Sequence, residues 1–171
     1  LEALAAAYKA TGADVRVMAP MIATQAEATW FADKVRALGL PKVGVMIEVP
    51  AAAIRSKGIL YHVDFASLGT NDLQQYTMAA DRMQGELAAL LNPWEPALLD
   101  VVALACEGGA AMGKPVGVCG EAAGDPGLAL VLAGLGVSSL SMAPGKVPAV
   151  RTARGTATAA RWSSSPARLD A

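Results

Sequence analysis

Val43-Gly44-Val45-Met46-Ile47-Glu48, Val63-Asp64-Phe65-Ala66-Ser67-Leu68-Gly69-Thr70-Asn71-Asp72 and Val116-Gly117-Val118-Cys119-Gly120-Glu121 decide the fold. Each is a short apolar run that ends on polar groups. Helical stretches separate the runs, so the strands are expected to lie parallel in one sheet. Their C-terminal ends then open on one edge, where parallel α/β sheets and barrels carry their ligand sites. This topology predicts that two carboxylates (Glu48, Asp72), an amide (Asn71) and a thiol (Cys119) converge there, a set suited to a metal and an anion.

Working outward, Val15–Met18 reads as an earlier strand that ends near Ala19-Pro20-Met21. Thr24 with Glu27 is a capping box, and Trp30, Phe31, Val35 and Leu38 are expected as the buried stripe of the helix it opens. Gly39 and Pro41 stop that helix. A short helix through Ile54 should end near Gly58. The stretch from Thr70 to Leu91 is long for a βα connection, and long ordered loops are usually functional. Asn92-Pro93 with Glu95 is expected to open a helix carrying Leu98, Leu99, Val102 and Ala105 inward, closed by Gly113 and Pro115. Asp125-Pro126 caps a helix from Leu128 to Leu135. Ser139–Met142 is the last strand, before Pro144.

That makes five β units and four crossovers, an α/β fold. A complete eightfold barrel takes roughly 250 residues, so the 171 residues here would supply about the second half of a (β/α)8 barrel of the TIM type. The chain opens inside a helix, Leu1–Ala7, with no start signal before it, which predicts a piece of something longer. The domain is expected over 1–150. Residues 151–171, rich in Ala, Ser and Arg, are expected to form a frayed helix and a disordered tail.

Composition agrees. Hydrophobic residues make up 54% and mean hydropathy is +0.39, which suits strands buried on both faces. A net charge of −1 argues against a basic nucleic-acid footprint. No apolar run reaches the ~20 residues that span a bilayer. Two cysteines, Cys106 and Cys119, make no disulfide framework and lack metal spacing, so a cytoplasmic location is expected.

Glu48 and Asp72 are hard oxygen donors with no nearby His or paired thiol, which favours Mg²⁺, with Mn²⁺ as the alternative, over zinc. The alternative for either carboxylate is a helix cap. Glu48, between Ile47 and Val49-Pro50, resists that reading because a carboxylate at a core strand end needs a partner. The turn Gly69–Asp72 would bring backbone N–H groups and an amide to an anion. Arg82 could reach back as a phosphate or carboxylate fork, or stand solvated beside Asp81. Cys119 is either a small core residue or a thiol that exchanges a proton with a carbanion-like centre, with Glu121 to orient it. Cys106, mid-helix, is read as core. His62 precedes its strand and is set aside as a catalyst. Met18, Met21, Met46 and Met142 are expected to pack in the core.

In order, the three quoted motifs resemble the C-terminal, phosphoenolpyruvate-binding barrel of the enzyme I family of the bacterial sugar phosphotransferase system. The resemblance covers roughly residues 15–150. Tyr76-Thr77 leading to Asp81-Arg82 is similar to enzyme I. Pyruvate phosphate dikinase and phosphoenolpyruvate synthase, the second choice, share the barrel but usually have Ser-Arg-Asp-Asp there. The resemblance implies that Glu48 and Asp72 hold Mg²⁺. It implies that Asn71 and Arg82, with Asp72, bind phosphoenolpyruvate, and that Cys119 is the catalytic acid that protonates the enolate as pyruvate forms. It further implies a phosphoryl-accepting His on a separate N-terminal domain, the phosphocarrier HPr as onward partner, and a homodimer. The His domain and the early strands with two further phosphate-binding arginines are absent, so the chain alone is expected to be inactive. Gln74 and Ala66 stand where the family usually has Thr and Phe. Two other readings remain: a Mg²⁺-dependent aldolase or lyase of the pyruvate-barrel kind, and a non-catalytic binding or dimerisation module.

Overall fold

The architecture comes from a computed structural model and is described for residues 1–156. Five strands, β1 Arg16–Ala19, β2 Lys42–Ile47, β3 Phe65–Gly69, β4 Val116–Cys119 and β5 Ser139–Leu140, form one sheet in the order β1-β2-β3-β4-β5. Every pairing is parallel. Between and around them run α1 Glu2–Thr11, α2 Gln25–Ala37, α3 Pro50–Ile54, α4 Ser56–Leu60, α5 Thr70–Thr77, α6 Pro96–Met112, α7 Pro126–Gly134 and α8 Val147–Thr156. Short 3₁₀ turns occupy Gly85–Leu90, Glu121–Gly124 and Pro144–Lys146. This is the expected α/β arrangement of part of a barrel. Residues 157–171, most of the expected tail, lie outside the described residues.

Register explains why the sheet has two unlike faces. Val45, Ala66 and Val116 share one rung, and Ile47, Leu68 and Val118 another. All six are buried, and they pack with α2, α6 and α7 through Ala28, Ala32, Val35, Val102, Ala105, Leu128 and Leu132. The alternate positions point the other way, because side chains alternate along a strand. There Met46 pairs Ser67 and Gly69 pairs Cys119, and Met46, Ser67 and Cys119 are only partly buried. The helices thus cover one face of the sheet and leave the other half open.

Local chemistry accounts for the element ends. Thr24 and Glu27 make the full capping box, and Asp125 Oδ1 accepts from Leu128 N at 2.8 Å to start α7. Strand β3 starts at Phe65, not Val63, and just before it Asp64 donates its N–H to Val43 O at 2.8 Å. Its carboxylate accepts from Val43 N at 3.0 Å and lies 3.7 Å from both Arg36 and Lys114. Helix α6 starts at Pro96, not Asn92. Asn92 Oδ1 is spent on Trp94 N in a turn, and Pro96 takes the first helical position, where a missing N–H costs nothing. Beyond Leu140 only the Ser141 N–H, donated to Val118 O at 2.9 Å, continues the last strand.

Two packing expectations are corrected. Trp30 is 64% exposed. The buried stripe of α2 is Ala28, Ala32 and Val35, spaced four and three apart, and Trp30 falls off that face beside Lys34. None of Met18, Met21, Met46 and Met142 is buried; Met18 and Met46 lie on the open face of the sheet. Leu98, Leu99, Val102, Ala105 and Cys106 are buried on α6 as expected.

Candidate functional site at the strand ends

Glu48 follows β2 directly and is 6% exposed. Its Oε2 accepts from the Met21 N–H at 2.9 Å. Met21 presents that N–H with φ of +54°, a left-handed conformation that costs a non-glycine residue about 1 kcal/mol. The rest of the Glu48 side chain lies on Gly69, where any Cβ would collide with it. Oε1 makes no hydrogen bond, and no buried side-chain N or O atom among the described residues lacks a partner; Oε1 is therefore not fully sealed from solvent.

Gly69 also pairs Cys119 on its other side. Glu48 and Cys119 thus flank Gly69 on the half-open face, about 10 Å apart at their Cα atoms by strand spacing. The Cys119 thiol donates to Leu68 O at 3.4 Å.

Helix α5 begins immediately, with Thr70, Asn71 and Asp72 in its first turn. The Thr70 hydroxyl donates to Cys119 O at 3.0 Å, and Asn71 Oδ1 accepts from Glu121 N at 3.4 Å. Asp72 Oδ1 lies 3.7 Å from Arg82 Nη2. Arg82 turns back because its N–H donates to Gln75 Oε1 at 3.1 Å and Asp81 caps Met83 N at 2.8 Å. Both side chains of the Asp72–Arg82 pair stay partly exposed, so the pair contributes at most about 1 kcal/mol. Gln74 is buried and donates its amide to Asn92 O, tying α5 to the segment before α6.

Two clefts open here. One, of about 330 Å³, is lined by Asn71, Gln74, Arg82 and Glu121 among others. The other, of about 530 Å³, lies between the ends of β4 and β5 and is lined by Gly120, Glu121, Gly124, Ser141 and Lys146 among others. Glu121 belongs to both. Glu48, Asp72 and Cys119 line neither: Glu48 is folded onto Gly69 and Asp72 is turned to Arg82. The candidate residues therefore share an edge, with Asn71 and Arg82 in one cleft and the other three beside it.

No group of three His, Cys, Asp or Glu that could hold a metal occurs among the described residues. Glu48 and Asp72 are the oxygen donors at this edge, and oxygen-only donors are the kind that Mg²⁺ takes, its remaining ligands coming from water and substrate; Asp72 is turned to Arg82 at 3.7 Å. Cys106 is ruled out as a reactive thiol: burial, and then the Glu107 charge, push it up to about 12. His62 accepts from the Gln25 amide at 2.8 Å. Met21, whose part depends on a backbone angle, Lys146 and the Thr70 hydroxyl carry no local sequence signal that marks them for the site.

Residues 1–158 match the family described as PEP-utilising enzyme, PEP-binding domain. The chain is 55% identical over 152 residues to the phosphoenolpyruvate-protein phosphotransferase of Streptomyces coelicolor, covering 88% of this chain and 27% of that protein. It is 44% identical over 156 residues to the multiphosphoryl transfer protein of Xanthomonas campestris, covering 86% and 19%. With the phosphoenolpyruvate-protein phosphotransferase of Bacillus subtilis it shares 38% over 154 residues, covering 83% and 27%. The chain spans about a quarter of the length of these phosphotransferases.

Proposed function

The chain belongs to the PEP-utilising enzymes, as their PEP-binding domain, and from that premise we propose that it forms the phosphoenolpyruvate site of a phosphoenolpyruvate–protein phosphotransferase. Asn71 and Arg82 bind the phosphate and carboxylate of the substrate, with Asp72 beside them. Glu48 and Asp72 are the residues that hold Mg²⁺, or Mn²⁺ in its place. When bound, the metal neutralises charge on the phosphoryl oxygens. The phosphoryl P–O bond to the enol oxygen breaks as a bond forms to a histidine nitrogen on a separate domain, which passes the group on to HPr for sugar uptake in the cytoplasm. The Cys119 thiol gives its proton to the methylene carbon of the enolate, pyruvate leaves, and the thiolate regains a proton from water.

The observation that carries this reading is the arrangement around Gly69. A buried carboxylate with one oxygen not fully sealed from solvent stands on one side and a thiol on the other, with Asn71 and Asp72 next in the chain. Calorimetric titration tests it: phosphoenolpyruvate is expected to bind only with Mg²⁺ present, and Glu48→Ala to abolish that binding. Binding that ignores both metal and Glu48 sinks the proposal.

The reading also includes a homodimer, which the resemblance to the enzyme I family implies. A monomer in sedimentation at micromolar concentration refutes this. No helix among the described residues is long and apolar enough to cross a membrane.

A further inference from the structure

The ends of β3 and β4 are fastened to each other through the Thr70 hydroxyl and the turn at Gly120, which no step above uses. Thr70 is 2% exposed, and its hydroxyl donates to Cys119 O at 3.0 Å. Gly120, the next residue, has φ of +94° and leaves no room for a side chain. A Cβ there would stand 2.7 Å from Thr70 Oγ1 and 3.1 Å from Asn71 Oδ1. The turn then delivers Glu121 N to Asn71 Oδ1 at 3.4 Å. That bond uses the oxygen of the Asn71 amide and leaves its two N–H donors for a ligand. Cys119, whose carbonyl is the group held, donates its thiol to Leu68 O at 3.4 Å.

We propose that Thr70 is a positioning residue of the site: its hydroxyl, bonded to the Cys119 carbonyl beside Gly120, sets the direction of the Cys119 thiol and of the Asn71 amide. A carbonyl held from one side fixes the peptide plane, and the peptide plane fixes where the Cys119 Cα–Cβ bond points. Without the hydroxyl, the plane can turn and the thiol swings off Leu68 towards solvent. The consequence for catalysis rests on the phosphotransfer reading; the clasp itself does not.

Alkylation of this chain with iodoacetamide tests the clasp without any substrate. Thr70→Val keeps the volume and removes the hydroxyl. It is expected to speed alkylation of Cys119 about fivefold, the equivalent of one lost hydrogen bond, and Thr70→Ser is expected to restore the parental rate. Cys106 is the internal control. It must stay unmodified; if it is exposed in step with Cys119, the effect is general loosening and the proposal falls. Unchanged Cys119 alkylation in folded Thr70→Val also overturns it. Should Thr70→Val fail to fold, Gly120→Ala, which pushes the same two elements apart, takes its place with the same expectations. Protection of Cys119 by phosphoenolpyruvate with Mg²⁺ is scored separately. Its absence in the parent chain would count against the proposed function and leave the clasp standing.

Discussion

The Met21 N–H donates to Glu48 Oε2 at 2.9 Å, across 27 residues of chain, and Met21 holds φ of +54° to do so. One strained residue at the end of β1 therefore supports the buried carboxylate at the end of β2. Met21→Pro deletes the donor and cannot take a positive φ. It is expected to cost about 3 kcal/mol or more, through an under-satisfied buried carboxylate and a displaced turn. Met21→Gly keeps the N–H and removes the strain; its stability should stay within about 1 kcal/mol of the parent. Urea denaturation of the two variants reads both values.

Gly69 has no side chain because Glu48 occupies the space. Gly69→Ala is expected to destabilise the fold by about 1–3 kcal/mol, as overpacking does, and to push the Glu48 carboxylate off its place. Calorimetry should then show Mg²⁺-dependent phosphoenolpyruvate binding reduced at least about tenfold. A Gly69→Ala variant with parental stability and binding would mean that Glu48 has another place to go.

The two thiols should separate cleanly. Cys106 rises from 9.0 to about 12, first through burial and then through Glu107. In native protein at pH 8 a thiol reagent should modify Cys119 alone, with Cys106 reacting only after denaturation. The same shift makes stability fall with alkali. The folded thiol keeps its proton while the unfolded one loses it, so stability is full below about pH 9 and declines by up to about 1.4 kcal/mol per pH unit towards pH 12. Cys106→Ala should abolish that slope in denaturation measured between pH 8 and 10.5.

At the start of α2 the sign is opposite. Backbone N–H groups of Ala23 and Thr24, then the Thr24 hydroxyl, lower the Glu27 carboxyl from 4.5. The stabilisation is present above the unfolded value and is lost as pH falls through the folded one. Thr24→Ala should cost about 1 kcal/mol at pH 7 but only weaken this acid dependence, because the N–H groups of residues 23 and 24 still reach Glu27. Glu27→Gln should abolish it, with thermal melts between pH 3 and 7 as the measure.

How much was legible in the sequence varies with the range of the interaction. Asn71, Asp72, Cys119 and Glu48 could be picked out because each follows an apolar run that marks a strand end. Thr24 with Glu27 could be paired because a capping box is a matter of three residues. The helix start at Asn92 was misread because its side chain had two local uses, a cap and a turn, and only the neighbouring Pro96 decides between them. A stripe through Trp30, Phe31, Val35 and Leu38 puts Trp30 in the core, whereas the buried face of α2 runs through the small Ala28 and Ala32 with Val35.

The amino-acid sequence by itself determined that this chain alternates strand and helix, that the strands run parallel, and which residues stand at their C-terminal ends. Those properties follow from periodicity and caps, which act over a few residues. Only the tertiary structure decided that Glu48 rests on Gly69 and Met21, that Thr70 holds Cys119, and that the mouth divides into two clefts meeting at Glu121. These depend on strand register and on single backbone angles, which bring together groups 21 to 50 positions apart and leave no mark on any local pattern.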